Sequence, residues 1–362
     1  MNQITILFYI NAINGGGAER VITQLASHFA AAGYKSILVT SFVDKWEYHV
    51  ADNVERVSLE QAQNIQSKIM RNITRIWKLR QLCKQKKPAV VISFMAEPNI
   101  RAICATIGLK TKNIISVRNA PEKEYAGRIG WFISKVILPF ADGCVFQTEQ
   151  AKTWFPIKLQ RKSIIIYNEV ATRFFLTERQ GPYKDIVTLG RLTTQKNHEL
   201  LIRAFKKIED KYPTDKLLIY GEGELRDKLS NLIVSLELQE RVVLMGQTSD
   251  VFSVLKSAKV FVLSSNYEGM PNALMEAMAV GVPSIATDCP CGGPKKLIDN
   301  GHDGLLIPPG DIVSLSEAID SLLCNSTLAQ RLSFKAKKKA RSYHPRIIFN
   351  KWKDYIESIM LL

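Results

Sequence analysis

The chain has 362 residues, of which 46% are hydrophobic, and its formal net charge is +15. This length suits two domains, and the apolar share excludes wholesale disorder. No run of about 18 apolar residues exists, so no transmembrane helix is expected. The six cysteines lack the spacing of a disulfide framework or a zinc site. We interpret them as reduced thiols of a cytosolic protein without a signal peptide.

Strand-like and helix-like runs alternate along the chain. The first series has predicted strands at 4–10, 36–40, 90–94, 113–117, 143–147 and 163–167, with helices over 18–32 and 65–86. A second series has strands at 186–189, 216–220, 242–245, 260–263, 283–287 and 304–307, with helices over 198–211 and 225–236. Alternating elements predict parallel sheets with helices on both faces, so two series predict two doubly wound α/β domains.

The domain boundary is expected where the periodicity fades and turn residues collect. We predict a first domain over 1–168, a linker over 169–184, a second domain over 185–344 and a C-terminal helix over 345–362. The amphipathic pattern of this last helix is compatible with a return to the first domain.

Positive charge concentrates in the first predicted domain. Residues 1–168 carry 23 Lys and Arg against 11 Asp and Glu, which gives 23 − 11 = +12. Within them, residues 64–88 hold basic and apolar side chains at helical spacing and no acidic residue. Such a helix can lie on an anionic membrane surface. The alternative is that its apolar side packs on its own sheet while the basic side faces water, and the two interpretations are compatible. No nucleic-acid-binding signature is present, so no nucleic-acid partner is expected.

A glycine loop follows the first predicted strand. Gly15, Gly16 and Gly17 precede a helix, and glycines let the backbone approach an anion closely at a helix N-terminus. The loop differs from the dinucleotide-binding fingerprint, because Arg20 occupies the last position.

A second glycine loop follows the strand at 186–189. Gly190 leads into a loop that carries Arg191 and Lys196. Two cations in one loop could clamp a diphosphate from two sides. The alternative is that both are solvated.

The stretch from 260 to 280 is the most informative part of the chain. An apolar strand ends in a loop with Glu268, and a helix with Glu276 follows. Ligands of open α/β sheets bind at the carboxyl ends of the strands, where a helix N-terminus suits a phosphate. Carboxylates repel a phosphate but can accept hydrogen bonds from hydroxyl groups. The pattern therefore indicates a ligand that carries both phosphate and hydroxyl groups. Solvated surface glutamates are the alternative, which the apolar neighbours of Glu276 make less favourable.

Together these motifs resemble those of retaining glycosyltransferases of the GT-B class, in the large family (glycosyltransferase family 4) that includes bacterial sugar transferases of cell-surface polysaccharides. The resemblance spans nearly the whole chain and is strongest from about 186 to 311. The matching segments are 15–20, Gly190 and Arg191 with Lys196 and Asn197, 221–225, 268–276 with Ala277, Gly281 and Pro283, and 300–306.

The resemblance implies two Rossmann-like domains that face a cleft, and it implies a role for each matching residue. Arg191 and Lys196 would neutralise the donor diphosphate, Glu268 would lie beside the transferred sugar, and Glu276 would bind the donor ribose. Further donor contacts are implied at Gly190, Gly221, Gly269, Met270, Asn272 and Ala273. Gly16 and Gly17 would lie near the diphosphate or the acceptor.

One departure from the family pattern lies after the strand at 113–117. Members often carry a histidine there, whereas this chain has Arg118. An arginine can bind a phosphate or a sugar oxygen, but it cannot act as a base near pH 7. This disfavours a histidine-based step and favours charge stabilisation. A surface arginine is the alternative.

The implied activity is transfer of a hexose or N-acetylhexosamine from a nucleotide-diphosphate sugar, UDP-linked, with retention of anomeric configuration. The implied acceptor is a polyprenyl-diphosphate-linked glycan of O-antigen, lipopolysaccharide or capsule assembly, at the inner face of the cytoplasmic membrane. Arg128, Lys135 and the apolar run 129–133 would border that acceptor or form a core helix.

Two features bear on metals and on other functions. The chain contains no Asp-x-Asp pair, so we expect neither a metal nor another cofactor. A non-catalytic nucleotide- or lipid-binding protein of this fold remains an alternative. A dinucleotide-dependent oxidoreductase is less favoured, because the complete glycine fingerprint is missing.

Overall fold

The computed structural model describes residues 3–45, 47–60, 67–176, 178–179 and 181–361. It divides into two compact units, Met1–Asn168 with Arg346–Leu362, and Glu169–Pro345. Within the described ranges, no helix is both long and apolar enough to cross a membrane.

The first unit is built on a seven-stranded parallel sheet in the order β3-β2-β1-β4-β5-β6-β7. Its strands are β1 (Thr5–Ile10), β2 (Lys35–Thr40), β3 (Glu55–Ser58), β4 (Val90–Phe94), β5 (Lys112–Ser116), β6 (Gly143–Phe146) and β7 (Ser163–Ile165). Its helices are α1 (Gly17–Ala31), α2 (Lys68–Lys86), α3 (Ala96–Thr106), α4 (Pro121–Glu124), α5 (Gly127–Phe132), α6 (Glu149–Thr153) and α7 (Ile157–Gln160). A π-helix (Ile133–Ile137) and a 3-10 turn (Leu138–Phe140) continue α5.

The second unit is built on a six-stranded parallel sheet in the order β10-β9-β8-β11-β12-β13. Its strands are β8 (Lys184–Leu189), β9 (Leu217–Tyr220), β10 (Val242–Gly246), β11 (Ala258–Leu263), β12 (Ser284–Thr287) and β13 (Leu305–Ile307). Its helices are α8 (His198–Lys206), α9 (Arg226–Ser235), α10 (Val251–Ser257), α11 (Asn272–Val280), α12 (Gly293–Leu297), α13 (Ile312–Cys324) and α14 (Ser326–Ala340), with 3-10 turns at Thr172–Phe174, Glu209–Lys211 and Arg341–Tyr343.

The predicted fold class of two doubly wound Rossmann-like units is confirmed. Every predicted strand is present within a few residues of its expected bounds, because strands buried on both faces read as continuous apolar runs. The strand Glu55–Ser58 was not predicted, since it is an edge strand of half-buried residues without such a run. The predicted linker, 169–184, lies within the second unit.

The last helix, α15 (Pro345–Met360), belongs to the core of the first unit. Its buried stripe of Ile348, Trp352 and Ile356 packs with α1 on one face of the sheet. The Trp352 ring is fully buried and stacks on Phe94 at 5.9 Å between centroids. The opposite face of this sheet is covered by α2 and α3, through side chains such as Leu79.

Removal of the Trp352 ring tests the contribution of α15 to the first unit. We expect Trp352→Ala to lower the free energy of unfolding by about 3–5 kcal/mol, because a large buried side chain is lost and a cavity remains. Urea unfolding followed by circular dichroism measures the change. The control is Lys353→Ala on the exposed side of the same helix, for which we expect a change below about 0.5 kcal/mol. Equal stability of the two variants would contradict the assignment of α15 to the core.

Candidate functional site

The strand order of the second sheet reverses between β8 and β11, which pair side by side. At such a reversal the loops that follow the two strands lie next to each other and leave room for a ligand. Here they are the loop 190–197 after β8 and the loop 264–271 after β11. These are the two loops from which the sequence predicts most of the donor-site residues.

An ion pair joins the two loops. Lys196 Nζ donates to Glu268 Oε1 at 2.5 Å, and Ser265 Oγ donates to the same oxygen at 2.7 Å. Glu268 is only 5% exposed, so its carboxylate depends on these partners. The structure thus brings two of the three predicted catalytic residues into direct contact. The solvated-glutamate alternative is wrong for Glu268.

Further hydrogen bonds join the loops 190–197 and 264–271. Asn266 N donates to Gln195 O at 2.8 Å, and Gln195 Nε2 donates to Tyr267 O at 3.1 Å. Asn197 Nδ2 donates to Asn266 Oδ1 at 3.0 Å. Because these contacts hold both backbones, the Lys196 ammonium has a defined position. Arg191 lies at the other end of its loop and is exposed to solvent.

Residues 289–293, which form the loop after β12 and the first residue of α12, contact Glu268 and Gly269 and were not among the predicted site residues. Glu268 N donates to Pro290 O at 2.6 Å, and Cys291 N donates to Glu268 O at 3.0 Å. A Cβ at Gly293 would lie 1.7 Å from Gly269 O, so only glycine allows this approach. Burial raises the pKa of the Cys289 thiol to about 12, which makes it unreactive. The signal in the sequence was the Cys-Pro-Cys-Gly-Gly run directly after a predicted strand.

The helix α11 begins at the predicted phosphate-binding position. Its first residue is Asn272, and Gly269, Met270 and Ala273 lie within or just before its first turn. The N–H groups of a first helical turn lack intrahelical acceptors and attract anions. Glu276 follows on the second turn and is 4% exposed, among buried residues from Leu274 to Val280. The prediction that this helix is largely buried is confirmed.

Two glycines place the turn after β9 against the Gly190 loop. A Cβ at Gly221 would lie 2.0 Å from Gly190 O, and a Cβ at Gly223 would lie 2.5 Å from Leu192 O. Leu192 N donates to Glu222 O at 3.0 Å across the same contact. Gly221, which was predicted as a donor contact, therefore holds this loop through backbone packing together with Gly223, and the donor contact stays a prediction.

The glycine loop of the first unit lies at the start of α1, as predicted. Gly16 is the N-cap of α1 and Gly17 is its first residue. A Cβ at Gly16 would lie 2.0 Å from Glu19 Oε2, so a carboxylate already occupies the space beside the helix N-terminus. A diphosphate or acceptor contact at Gly16 and Gly17 stays a prediction, and it requires Glu19 to move aside.

Arg118 is buried in the first unit, at 8% exposure, so the surface-arginine alternative is wrong. Its guanidinium carbon lies 3.9 Å from the centroid of Phe94 and 5.6 Å from that of Trp352, and Nη1 donates to Asn168 Oδ1 at 2.8 Å. Burial lowers the pKa of Arg118 to about 9, so it stays protonated near pH 7 and cannot serve as a base. Its contact with a phosphate or an acceptor stays a prediction.

One group of possible metal ligands occurs within the described ranges, at Asp299, His302 and Asp303. Asp303 Oδ1 accepts from Asp299 N at 2.6 Å, and Asp303 Oδ2 pairs with Lys339 Nζ at 3.0 Å. The buried Asp303 carboxylate is therefore already paired with a lysine. We interpret these three residues as a structural cluster that stabilises the turn before β13.

Two family models match consecutive parts of the chain. The model described as Glycosyltransferase Family 4 matches residues 15–173, and the model described as Glycosyl transferases group 1 matches residues 172–339. The chain is a glycosyltransferase, with a family 4 match followed by a group 1 match. The two matches follow the two units of the fold, and the predicted enzyme class is confirmed.

Full-length relatives and solved structures agree with this assignment. A Campylobacter jejuni enzyme is 28% identical over 99% of this chain and 99% of its own length, and it is named GalNAc-alpha-(1->4)-GalNAc-alpha-(1->3)-diNAcBac-PP-undecaprenol alpha-1,4-N-acetyl-D-galactosaminyltransferase. The lipopolysaccharide outer core galactosyltransferase WaaB has a TM-score of 0.78 at 20% identity, covering 98% of this chain and 99% of its own. Anabaena HepE in complex with UDP-glucose has a TM-score of 0.81 at 16% identity, covering 98% and 100%. These structures establish the GT-B fold of the glycosyltransferase.

A buried histidine next to the Arg191 loop generates a stability prediction. His198 is 3% exposed, and its Nε2 lies 3.3 Å from Arg191 O, so that nitrogen carries the proton. Burial, with a smaller effect of the Lys196 charge, lowers the pKa of His198 from 6.5 to about 4. The unfolded chain therefore binds the proton more tightly, and stability falls as the pH falls from 6.5 towards 4.

We expect His198→Gln to remove this dependence. Between pH 7 and 4 the wild type should lose roughly 3 kcal/mol more unfolding free energy than the variant. Urea titrations at a series of pH values measure the difference. His49→Gln, at an exposed position, should keep the wild-type slope. A variant with the same slope as the wild type would rule out His198 as the titrating group.

Proposed function

We propose that this glycosyltransferase transfers a hexose or N-acetylhexosamine from a UDP-linked sugar to a polyprenyl-diphosphate-linked glycan, with retention of configuration. The UDP-glucose bound to HepE and the undecaprenol acceptor in the name of the Campylobacter relative support the donor and acceptor classes. The single observation that carries the proposal is the buried Lys196–Glu268 pair beside the N-terminus of α11. It combines a cation, a carboxylate and the N-terminus of a helix, and these are the groups that suit a diphosphate joined to a sugar.

The second unit holds the donor in this proposal. Glu276 accepts hydrogen bonds from the ribose hydroxyls, and the first turn of α11 binds the diphosphate. Arg191 and Lys196 add positive charge as the bond between the sugar and the phosphate breaks, which stabilises the leaving nucleotide. The structure supports this for Lys196 in particular, because Glu268 fixes its ammonium group.

Glu268 binds hydroxyl groups of the transferred sugar and holds it for attack from the face that the leaving phosphate occupies. The acceptor hydroxyl forms the new bond to the anomeric carbon on that face, and its proton passes to the leaving phosphate oxygen. This sequence retains the configuration without a protein nucleophile. It is compatible with Arg118, which cannot take the proton.

Replacement of Glu268 separates catalysis from donor binding. We expect Glu268→Gln to lower kcat by about two orders of magnitude or more, because the sugar loses its charged acceptor and Lys196 loses its partner. The nucleotide Kd should stay within about threefold of the wild-type value, because Glu276 and α11 remain. Donor hydrolysis measures turnover, and titration calorimetry with UDP measures binding.

The matched control is Glu240→Gln, an exposed glutamate of the same unit. It should retain wild-type turnover and nucleotide affinity. Full activity of Glu268→Gln would exclude the proposed role of Glu268. Loss of UDP binding in that variant would show that Glu268 contacts the nucleotide rather than the sugar.

We propose that catalysis requires no divalent ion. The two cations of the 190–197 loop and the helix N-terminus supply the positive charge that a metal would otherwise bring to the diphosphate. Turnover should therefore persist in excess EDTA and change less than about twofold on addition of Mg²⁺ or Mn²⁺. Loss of turnover in chelator with recovery on metal addition would overturn this.

We propose further that the enzyme lies peripherally on the inner face of the cytoplasmic membrane, through the basic segment 64–88, of which 64–66 lie outside the described residues. The helix α2 supports this by an exposed apolar stripe at every fourth residue. Ile69, Ile73 and Trp77 are 73%, 56% and 59% exposed, whereas Leu79 and Cys83 face the core. Part of the apolar side of this helix therefore packs on its own sheet, and another part is exposed.

Six basic residues from Arg75 to Lys87, in α2 and at its C-cap, divide into two groups. Four bind within the first unit: Arg75 to Glu60, Lys78 to Leu59 O, Arg80 to Ala105 O and Ile107 O, and Lys86 to Glu55. Lys84 and Lys87, near the end of the helix, are exposed. The attraction to anionic lipid thus rests on fewer charges than the sequence suggests.

Charge reversal tests the electrostatic part. We expect Lys84→Glu with Lys87→Glu to lower binding to vesicles with anionic lipid by about tenfold or more at low salt, because each basic residue contributes on the order of 1 kcal/mol. Vesicle co-flotation measures it. The control, Lys207→Glu with Lys338→Glu, makes the same charge change in the second unit and should bind as the wild type. Absence of wild-type binding at low salt would contradict the membrane proposal.

A further inference from the structure

A second apolar surface lies on the first unit, outside the donor site and outside α2. It is formed by α5, the π-helix and the 3-10 turn, residues 127–140, which we call the 127–140 ridge. None of the six residues of α5 is buried. The exposed large side chains of the ridge are Ile129 at 78%, Trp131 at 58%, Phe132 at 50%, Val136 at 41% and Phe140 at 65%. Exposed apolar groups at this density mark an interaction surface.

The ridge and α2 both contact the helix α3. This helix packs against α2, against the π-helix and against the 3-10 turn. The α2 and α3 side chains cover the face of the sheet opposite α1 and α15. The exposed stripe of α2 and the ridge thus belong to elements that share α3 as a neighbour.

The charges around the ridge are those that suit an anionic partner. Residues 125–141 contain no acidic residue, and Arg128 is exposed. Lys135 Nζ lies 4.3 Å from the centroid of Trp154, and Lys158 Nζ lies 5.3 Å from that of Phe140. Apolar side chains with tryptophan and flanking cations are typical of segments that enter the headgroup region of a membrane.

The end of the ridge opens into a cavity of about 370 Å³ that Phe140 lines together with Ile107, Lys110 and Lys112. Its acidic side chain is Asp142, whose Oδ2 already accepts from Asn113 N at 2.8 Å and Asn113 Nδ2 at 3.1 Å. The cations therefore extend past the apolar residues and would meet lipid phosphates at the membrane surface.

We propose that the 127–140 ridge inserts into an anionic bilayer and forms, with α2, a two-part membrane contact. Charge on α2 brings the protein to the surface, and the apolar ridge then holds it by burial of Ile129, Trp131 and Phe132 among lipid headgroups. This rests on the proposed function for its biological purpose only, since binding to vesicles is measured without catalysis. Because salt screens surface charge but does not prevent burial of apolar groups, we expect the ridge to maintain vesicle binding at high salt.

The experiment uses the full chain and vesicles of phosphatidylglycerol and phosphatidylcholine. At about 0.5 M salt, where surface charges are screened, Trp131→Ser with Phe132→Ser should lower the bound fraction at least about fivefold. The matched control is Phe334→Ser, an equally exposed aromatic side chain of the second unit at 69%, which should bind as the wild type. Thermal unfolding of each variant shows whether it is folded, and the buried residues of the first unit are unchanged in all of them.

A second measurement reports insertion directly and needs no destabilising change. Lipids brominated in the upper acyl chain should quench wild-type tryptophan fluorescence more than they quench Trp131→Phe, which retains the apolar ridge. Equal quenching of the two proteins, or salt-resistant binding by the double variant at the wild-type level, would overturn the proposal.

Two further outcomes distinguish the alternatives. If sedimentation shows a wild-type dimer that the double variant loses, while vesicle binding is unchanged, the ridge contacts a second copy of the chain and the proposal is wrong. Donor hydrolysis by the double variant should equal that of the wild type. If the double variant binds vesicles like the wild type while donor hydrolysis is intact, only the proposed membrane role of the ridge is refuted. An inactive wild type would instead refute the proposed function.

Discussion

The pairing of β8 with β11 is the constraint on which the donor site depends. The two strands are neighbours only because the strand order of the second sheet reverses between them. Their loops then run side by side, and the Lys196–Glu268 ion pair closes the contact. A buried carboxylate without such a partner would be costly, so the same contact that stabilises the loops also defines the site.

The two loops that carry Lys196 and Glu268 are each in close backbone contact with a further segment. Gly221 lets the turn after β9 reach Gly190, and Gly293 lets the loop after β12 reach Gly269. A side chain at either position would push apart the loops that carry Lys196 and Glu268. The glycines thus act first on the shape of the site, and their expected contacts with a donor follow from that shape.

The first unit uses the same strand topology for a different purpose. At the start of α1 the Glu19 carboxylate lies beside Gly16. After the end of β5 the Arg118 guanidinium lies against the ring of Phe94, which stacks on Trp352. One face of its sheet forms a core with α1 and α15. The helix α2, on the other face, leaves Ile69, Ile73 and Trp77 exposed.

The amino-acid sequence by itself determined the strands and the two series of alternating elements, because continuous apolar runs are local patterns. Its loop motifs also indicated Lys196, Glu268 and Glu276 as candidate site residues. It did not determine that Lys196 bonds to Glu268 or that residues 289–293 support Glu268. Those contacts join distant segments through the order of strands in the sheet. Burial of Arg118 and exposure of Ile69, Ile73 and Trp77 were likewise decided by tertiary structure. Helical periodicity shows that a helix has an apolar face, but only packing decides whether that face meets the sheet or the solvent.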